Sequence, residues 1–205
     1  MIGDDLEVQG ETFIGDATNY TKITTDGEIT LAGTARVEME NAFSLDGIGK
    51  GATAPTLVRL GNTMGYQFGI GDDGYMSFEI PLNWDTTTDI SIKLHVYVNE
   101  DYDITAGEMR WQGTWSAVPE TGAEAVDGAT HTGTLDSGDV NISTTTKGLT
   151  EVDMGAIAAA SLALHDTVFI LVSRIAINAG TEVTEEPVVV HAEYEWIANK
   201  LGEAT

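Results

Sequence analysis

His191, Glu193 and Glu195 recur at i, i+2 and i+4. On an extended chain that spacing puts all three on one face, about 7 Å apart, where imidazole and carboxylate donors can hold a divalent ion. An outward polar face opposite Val190, Ala192 and Tyr194 explains the same residues without an ion, so no metal site is assigned from the sequence. Asp72-Asp73-Gly74, Asp101-Tyr102-Asp103 and Asp136-Ser137-Gly138-Asp139 offer oxygen ligands for structural calcium. None has the alternating donors and closing Glu of an EF-hand loop, and Asp with Gly is ordinary turn composition. Structural calcium is the one cofactor left open. Trp84, Trp111, Trp115 and Trp196, with Tyr97 and Tyr102, are the rings from which a sugar-stacking platform would be built. Trp111 and Trp115 share an apolar strand face with Met109, which reads as core packing. Trp84 follows Pro81 in a turn and is expected to be the exposed aromatic of the set.

The chain offers little for catalysis. Ser, His and Asp occur, but no Gly-x-Ser-x-Gly elbow. His95, His131, His165 and His191 lie apart, without a His-Glu-x-x-His pair. Cysteine is absent, which removes disulfides, a thiol nucleophile and thiolate metal sites. Gly47-Ile48-Gly49-Lys50-Gly51 lacks the Walker spacing of a phosphate loop. No catalytic residue is assigned, and the chain is read as a non-enzyme.

Nine basic against 33 acidic residues give a formal net charge of −24. So few cations cannot neutralise a run of phosphates, so nucleic acid and anionic membrane are excluded as electrostatic partners. The acidity has three physical readings: self-repulsion that keeps many copies soluble, adaptation to a salty milieu, and complementarity to a basic partner. The opening Met1-Ile2-Gly3-Asp4-Asp5 is acidic where a signal peptide would be basic, so no cleaved leader is expected.

The elements that position these residues read as strands. Ile90, Ile92, Leu94, Val96 and Val98 alternate with Ser91, Lys93, His95, Tyr97 and Asn99. Met76, Phe78 and Ile80 alternate with Tyr75, Ser77 and Glu79; Met109, Trp111, Gly113, Trp115 and Ala117 alternate with polar neighbours. Val188, Val190, Ala192, Tyr194 and Trp196 form a further apolar face. Strict period two means one face buried and one wet. Val168 to Val172 is apolar on both faces and predicts a central strand covered on both sides. The Ala-rich window Asp153–Leu164 predicts a short helix or loop turn, with Asp153 as its cap. Between Val118 and Thr150 large apolar residues are scarce, which predicts a long exposed excursion carrying one hairpin. Several half-apolar strands without regular intervening helices imply two sheets packed face to face.

The N-terminal segment differs. Its strands are short, end in Gly and carry one or two apolar residues each. Such a segment buries too little area alone to offset chain entropy. It can do so if copies wrap together, with Leu6, Val8, Ile29, Leu31 and Val37 along a shared axis.

The run Gly15-Asp16-Ala17-Thr18-Asn19-Tyr20-Thr21-Lys22-Ile23, followed by Asp26-Gly27-Glu28-Ile29 and Gly33-Thr34-Ala35, resembles the start of many tailed-phage or archaeal tailed-virus virion structural proteins. Those often read GD-x-TNYT-x-I-x-x-DG-x-L-x-x-x-G-x-A. Gly74 to Pro81 with Trp84 and Thr88-Asp89-Ile90, Trp111 with Trp115, and the strands Phe169–Arg174 and Val190–Trp196 are similar to later pieces of the same family. The family's His-x-His strand here reads Leu94-His95-Val96-Tyr97, with one His, so a role tied to the pair is not carried over.

The resemblance implies an all-β fold: an N-terminal oligomerisation and docking arm or β-prism over residues 1–42, then a jelly-roll-like antiparallel β-sandwich over residues 43–205. It implies a non-enzymatic virion protein of the head-decoration, head-fibre or tail-associated kind, assembled in the host cytoplasm. The expected partners are its own copies, as a homotrimer, and the major capsid protein or another virion protein. The rival expectation is a carbohydrate-binding host-recognition module of a fibre, whose partner is a host surface glycan and whose mark is two coplanar exposed aromatics.

Overall fold

The structure, a computed structural model, describes residues 10–43, 48–99 and 107–201. Its strands are β1 (Thr12–Gly15), β2 (Tyr20–Ile23), β3 (Ile29–Ala32), β4 (Val37–Phe43), β5 (Gly49–Lys50), β6 (Thr56–Leu60), β7 (Thr63–Gln67), β8 (Asp73–Glu79), β9 (Ile90–Val98), β10 (Glu108–Pro119), β11 (His131–Asn141), β12 (Thr150–Ile157), β13 (Asp166–Ile175), β14 (Pro187–Ala198) and β15 (Lys200–Leu201). A five-stranded sheet runs β11-β10-β13-β8-β5, and a six-stranded sheet runs β12-β9-β14-β7-β6 with β4 also paired to β14. A small sheet runs β1-β2-β3-β15. The paired strands within these sheets are antiparallel, and the fold is an all-β, jelly-roll-like sandwich.

Alternation builds the core. Met76 and Phe78 from β8, Met109, Trp111 and Trp115 from β10, and Val168, Ile170 and Val172 from β13 meet Ile92, Leu94 and Val96 from β9 and Tyr194 and Trp196 from β14. Burying each such side chain contributes about 1.5–3 kcal/mol. Gly133 makes room for the largest of them. A Cβ there would stand 2.7 Å from ring atoms of Trp115, its cross-strand partner.

Three strand expectations need correction. The Ala-rich window is not helical at its start: residues to Ile157 continue β12, and only a single 3-10 turn, Ala159–Ser161, follows. Val152, Met154 and Ile157 are buried, so pairing with β9 overrides alanine's helix preference. Asp153 caps no helix; its Oδ1 accepts from Gly155 N at a bulge in that pairing. In β14 the register with β9 shifts between Val189 and His191, so Val190 is the extra residue of a bulge. The core-facing set is therefore Val189, Ala192, Tyr194 and Trp196 rather than one that includes Val190. β13 is central in its sheet, but of its apolar run Val168–Val172 only Val168, Ile170 and Val172 are buried; Phe169 and Leu171 on the other side are half-buried. The Val118–Thr150 stretch holds the β10–β11 turn, all of β11 and the start of β12, and it is not exposed throughout: Leu135 and Ile142 join the core.

The small sheet explains its own motif. Asp16 Oδ1 accepts from Thr18 N (2.8 Å) and Asn19 N (2.7 Å) and holds the β1–β2 turn. These backbone donors keep the Asp16 carboxyl at a pKa of about 2. Asn19 Oδ1 accepts from Thr34 N and packs where a Cβ on Gly33 would lie, at a backbone φ of +58°. Arg36 then pairs with the buried Asp85 (Nη1–Oδ2 2.6 Å), which ties the small sheet to the sandwich. β15, directly after β14, closes the sheet against β3. β4, at the end of the segment expected to form the arm, pairs with β14 and packs Phe43 against Phe78 and Tyr194.

Candidate functional site

Two surfaces gather the residues that the sequence singles out. The first is the outer face of the six-stranded sheet. The β14 bulge sets His191 directly opposite His95 of β9, with their rings stacked at 4.1 Å and 18°. Glu193, buried, follows on the same face, with Oε1 3.0 Å from His95 Nε2 and Oε2 3.9 Å from His191 Nε2. Burial and then the His95 ring depress the His191 pKa, against the opposing pull of Glu193 and Glu40. Beside them Lys93 Nζ binds Glu195 (2.7 Å) and Glu151 (3.2 Å). The Glu195 hydrogen bond is the chief cause that holds the ammonium well above its usual range. Two donor groups with metal-ligand spacing share this face: His95, His191 and Glu193, and Glu40, Glu193 and Glu195. His191 and Glu193 are thus brought together as the spacing suggested, but Glu195 is held by Lys93. His95 was missed. No sequence signal pairs residues from β9 and β14, because register is a tertiary fact.

The second surface is the small sheet. Its register places Ile14, Thr21, Ile23, Ile29 and Leu31 on one face and Phe13, Tyr20 and Lys22 on the other. Phe13 is 58% exposed and Ile14 62%, with Ile23 also exposed. Phe13 meets Tyr20 edge-on at 5.3 Å. Of the residues expected on a shared axis, Leu6 and Val8 lie outside the described residues. Ile29 is half-buried and Val37, which begins β4, is exposed. Leu31 is corrected: it is buried within its own chain, its N donating to Asn199 O, beside Trp84 and Leu82 in the seam between small sheet and sandwich. Phe13 and Ile14, which no sequence expectation named, are the most exposed apolar residues of the small sheet; they stand next to the Gly15 turn.

Trp84 is also corrected. It is 1% exposed, bridges to Ala198, and its Nε1 donates to Thr88 O (2.9 Å). The turn after Pro81 folds the ring inward under β14 rather than out. The stacked aromatic pairs Phe78–Tyr194 and Tyr194–Trp196 are buried. On the five-stranded sheet Tyr75, 49% exposed, stands with half-buried Phe169 and Leu171 in a shallow depression of about 510 Å³.

The aspartates of the described runs are engaged by partners within the chain. Asp72 Oδ2 accepts from Gly69 N and Asp73 Oδ1 from Thr53 N. Asp136 takes a two-pronged contact from Arg110, which lowers its pKa, and Asp139 accepts from Asn178 N. Asp101, Tyr102 and Asp103 lie outside the described residues. A third donor group, Glu79, Glu120 and His165, is exposed throughout.

No protein-family model matches the chain, and no curated protein matches it in sequence. Solved structures do resemble it. The xylan-binding module CBM15 is similar at 12% identity over 78% of this chain and 97% of that chain, with a TM-score of 0.41. The CBM36-1 domain of a multidomain xylanase from the hindgut metagenome of Trinervitermes trinervoides is similar at 9% identity, covering 82% and 100%, TM-score 0.39. The VP2 subviral particle of infectious bursal disease virus is similar at 10% identity, covering 90% of this chain and 41% of that chain, TM-score 0.39. These likenesses concern the β-sandwich fold alone. Among the described residues no helix is long and apolar enough to cross a membrane.

Proposed function

We propose that the chain is a non-enzymatic virion structural protein, a decoration, head-fibre or turret-type subunit that trimerises and docks on a viral capsid through its small sheet. The carrying observation is that this sheet holds Phe13, Ile14 and Ile23 in solvent on both of its faces. Four-residue strands with exposed apolar groups are poor structures alone and good ones when copies cover them. Among the described residues β1 is moreover an edge strand with an open side for pairing. The sandwich, held to it by Arg36–Asp85 and β15, would project outward, and the net charge of −24 would keep neighbouring heads apart. The test is Phe13→Asp with Ile14→Asp, two exposed positions outside the sandwich core. A trimeric parent and a monomeric variant with an unchanged far-UV spectrum support the reading. A variant that stays trimeric overturns it.

A second reading, a glycan-binding recognition module, draws on Tyr75 and the hydroxyls of Thr114, Thr132 and Thr134 around the depression on the five-stranded sheet. Binding to an oligosaccharide array that Tyr75→Ala abolishes would favour it.

A further inference from the structure

The outer face of the six-stranded sheet carries a cluster that the proposed function does not use. The β14 bulge turns His191 onto that face and into register with His95, and Glu193 follows two residues on. The nearest donor atoms of the three side chains all lie within 4.8 Å of one another. Glu193 is 8% exposed, and the His95 Nε2 atom is buried although its side chain is 15% exposed. That nitrogen stands 3.0 Å from Glu193 Oε1 and yet makes no aligned hydrogen bond. Two groups that serve each other point at each other. Ligands of one ion point instead at a third place, and with bonds of about 2 Å their donor atoms end up roughly 3 Å apart. The pair has that separation and no hydrogen bond between its two atoms.

The neighbouring charges leave the cluster available. Lys93 stands opposite Glu193 in the strand register, but its ammonium is committed to Glu195 and Glu151. A buried carboxylate and an orphaned imidazole nitrogen side by side are costly unless something satisfies both. Two imidazoles and one carboxylate suit a borderline ion, whereas calcium and magnesium ask for a shell of oxygens.

We propose that His95, His191 and Glu193 bind a divalent transition ion of the zinc class, with a fourth position left for water or a donor from outside the chain. The ion would staple β9 to β14 across the bulge. The exposed Glu79–Glu120–His165 group, with one imidazole and no buried donor, is the internal control.

The test uses the full chain after chelator treatment, titrated with zinc chloride by calorimetry and with cobalt chloride by visible absorption. The expected result is one ion per chain, with affinity reduced about tenfold or more in His191→Ala and in Glu193→Gln, and unchanged in His165→Ala. His191 is partly exposed, so its variant keeps the fold, which the far-UV spectrum checks. Zinc binding no tighter than that of calcium chloride would overturn the proposal. So would parental affinity in both His191→Ala and Glu193→Gln, or a loss seen only in His165→Ala.

Discussion

Removing the carboxylate of Glu182 is expected to cost the fold more than removing the arginine it serves. Arg174, one residue from the end of β13, is buried. Its Nη1 donates to Phe68 O and its Nη2 to Glu182 Oε1, both at 2.9 Å, while Nε makes no hydrogen bond. Glu182 Oε2 also accepts from Ile177 N, so one carboxylate fixes the guanidinium and the chain beyond it. Glu182→Ala leaves a buried cation without its counter-charge. Such losses run to 3–5 kcal/mol, and the partial exposure of Glu182 puts this one near the lower end, about 3 kcal/mol. Arg174→Met removes the charge and keeps most of the volume. It strands the Phe68 carbonyl while Glu182 can turn to water, a cost of about 1–2 kcal/mol. In the double variant the stranded cation no longer exists, so its cost falls short of the sum by about 1–2 kcal/mol. Urea unfolding followed by tryptophan emission reads all three, since Trp84, Trp111, Trp115 and Trp196 are all buried. Additive costs, or a Glu182→Ala loss below about 1 kcal/mol, would refute the reasoning.

Gly133→Ala drives a methyl into the Trp115 ring and should cost about 1–3 kcal/mol, with an altered emission spectrum. Leu94→Ala empties a fully buried position on β9 and should cost about 2–5 kcal/mol by the same unfolding assay. The Asp16 carboxyl, lowered by backbone donors from 3.8 to about 2, favours its charged form in the fold. Its contribution to the β1–β2 turn is therefore complete above pH about 4 and is lost as pH falls through about 2. A carbon-13 titration of that side chain should show a midpoint near 2 rather than near 3.8.

Where one face is buried and the strand is regular, period two was enough to read the fold. Met76 and Phe78, Ile92, Leu94 and Val96, and Met109, Trp111, Trp115 and Ala117 join the core as their alternation predicts. What escaped was set by tertiary pairing. The bulge at Val190 changes which residues of β14 face the core, and no local composition marks it. Alanines near Ile157 follow β9 into a sheet although alone they favour a helix. Trp84 sits in a turn that β14 happens to cover. The carboxylates of β14 were visible as a candidate face, but the second imidazole comes from β9, and only the cross-strand register brings it there. Conversely, the Gly15–Asn19 motif was legible as a turn, and its residues prove to be the ones that build it: Asp16 accepts the backbone and Asn19 locks Thr34.

The central claim is that the small sheet joins copies of the chain. The native mass of the untagged full chain, measured by sedimentation equilibrium across a range of concentrations, tests it most directly. A stable species at three times 21.8 kDa is the predicted result. A clean 21.8 kDa monomer at every concentration would contradict it.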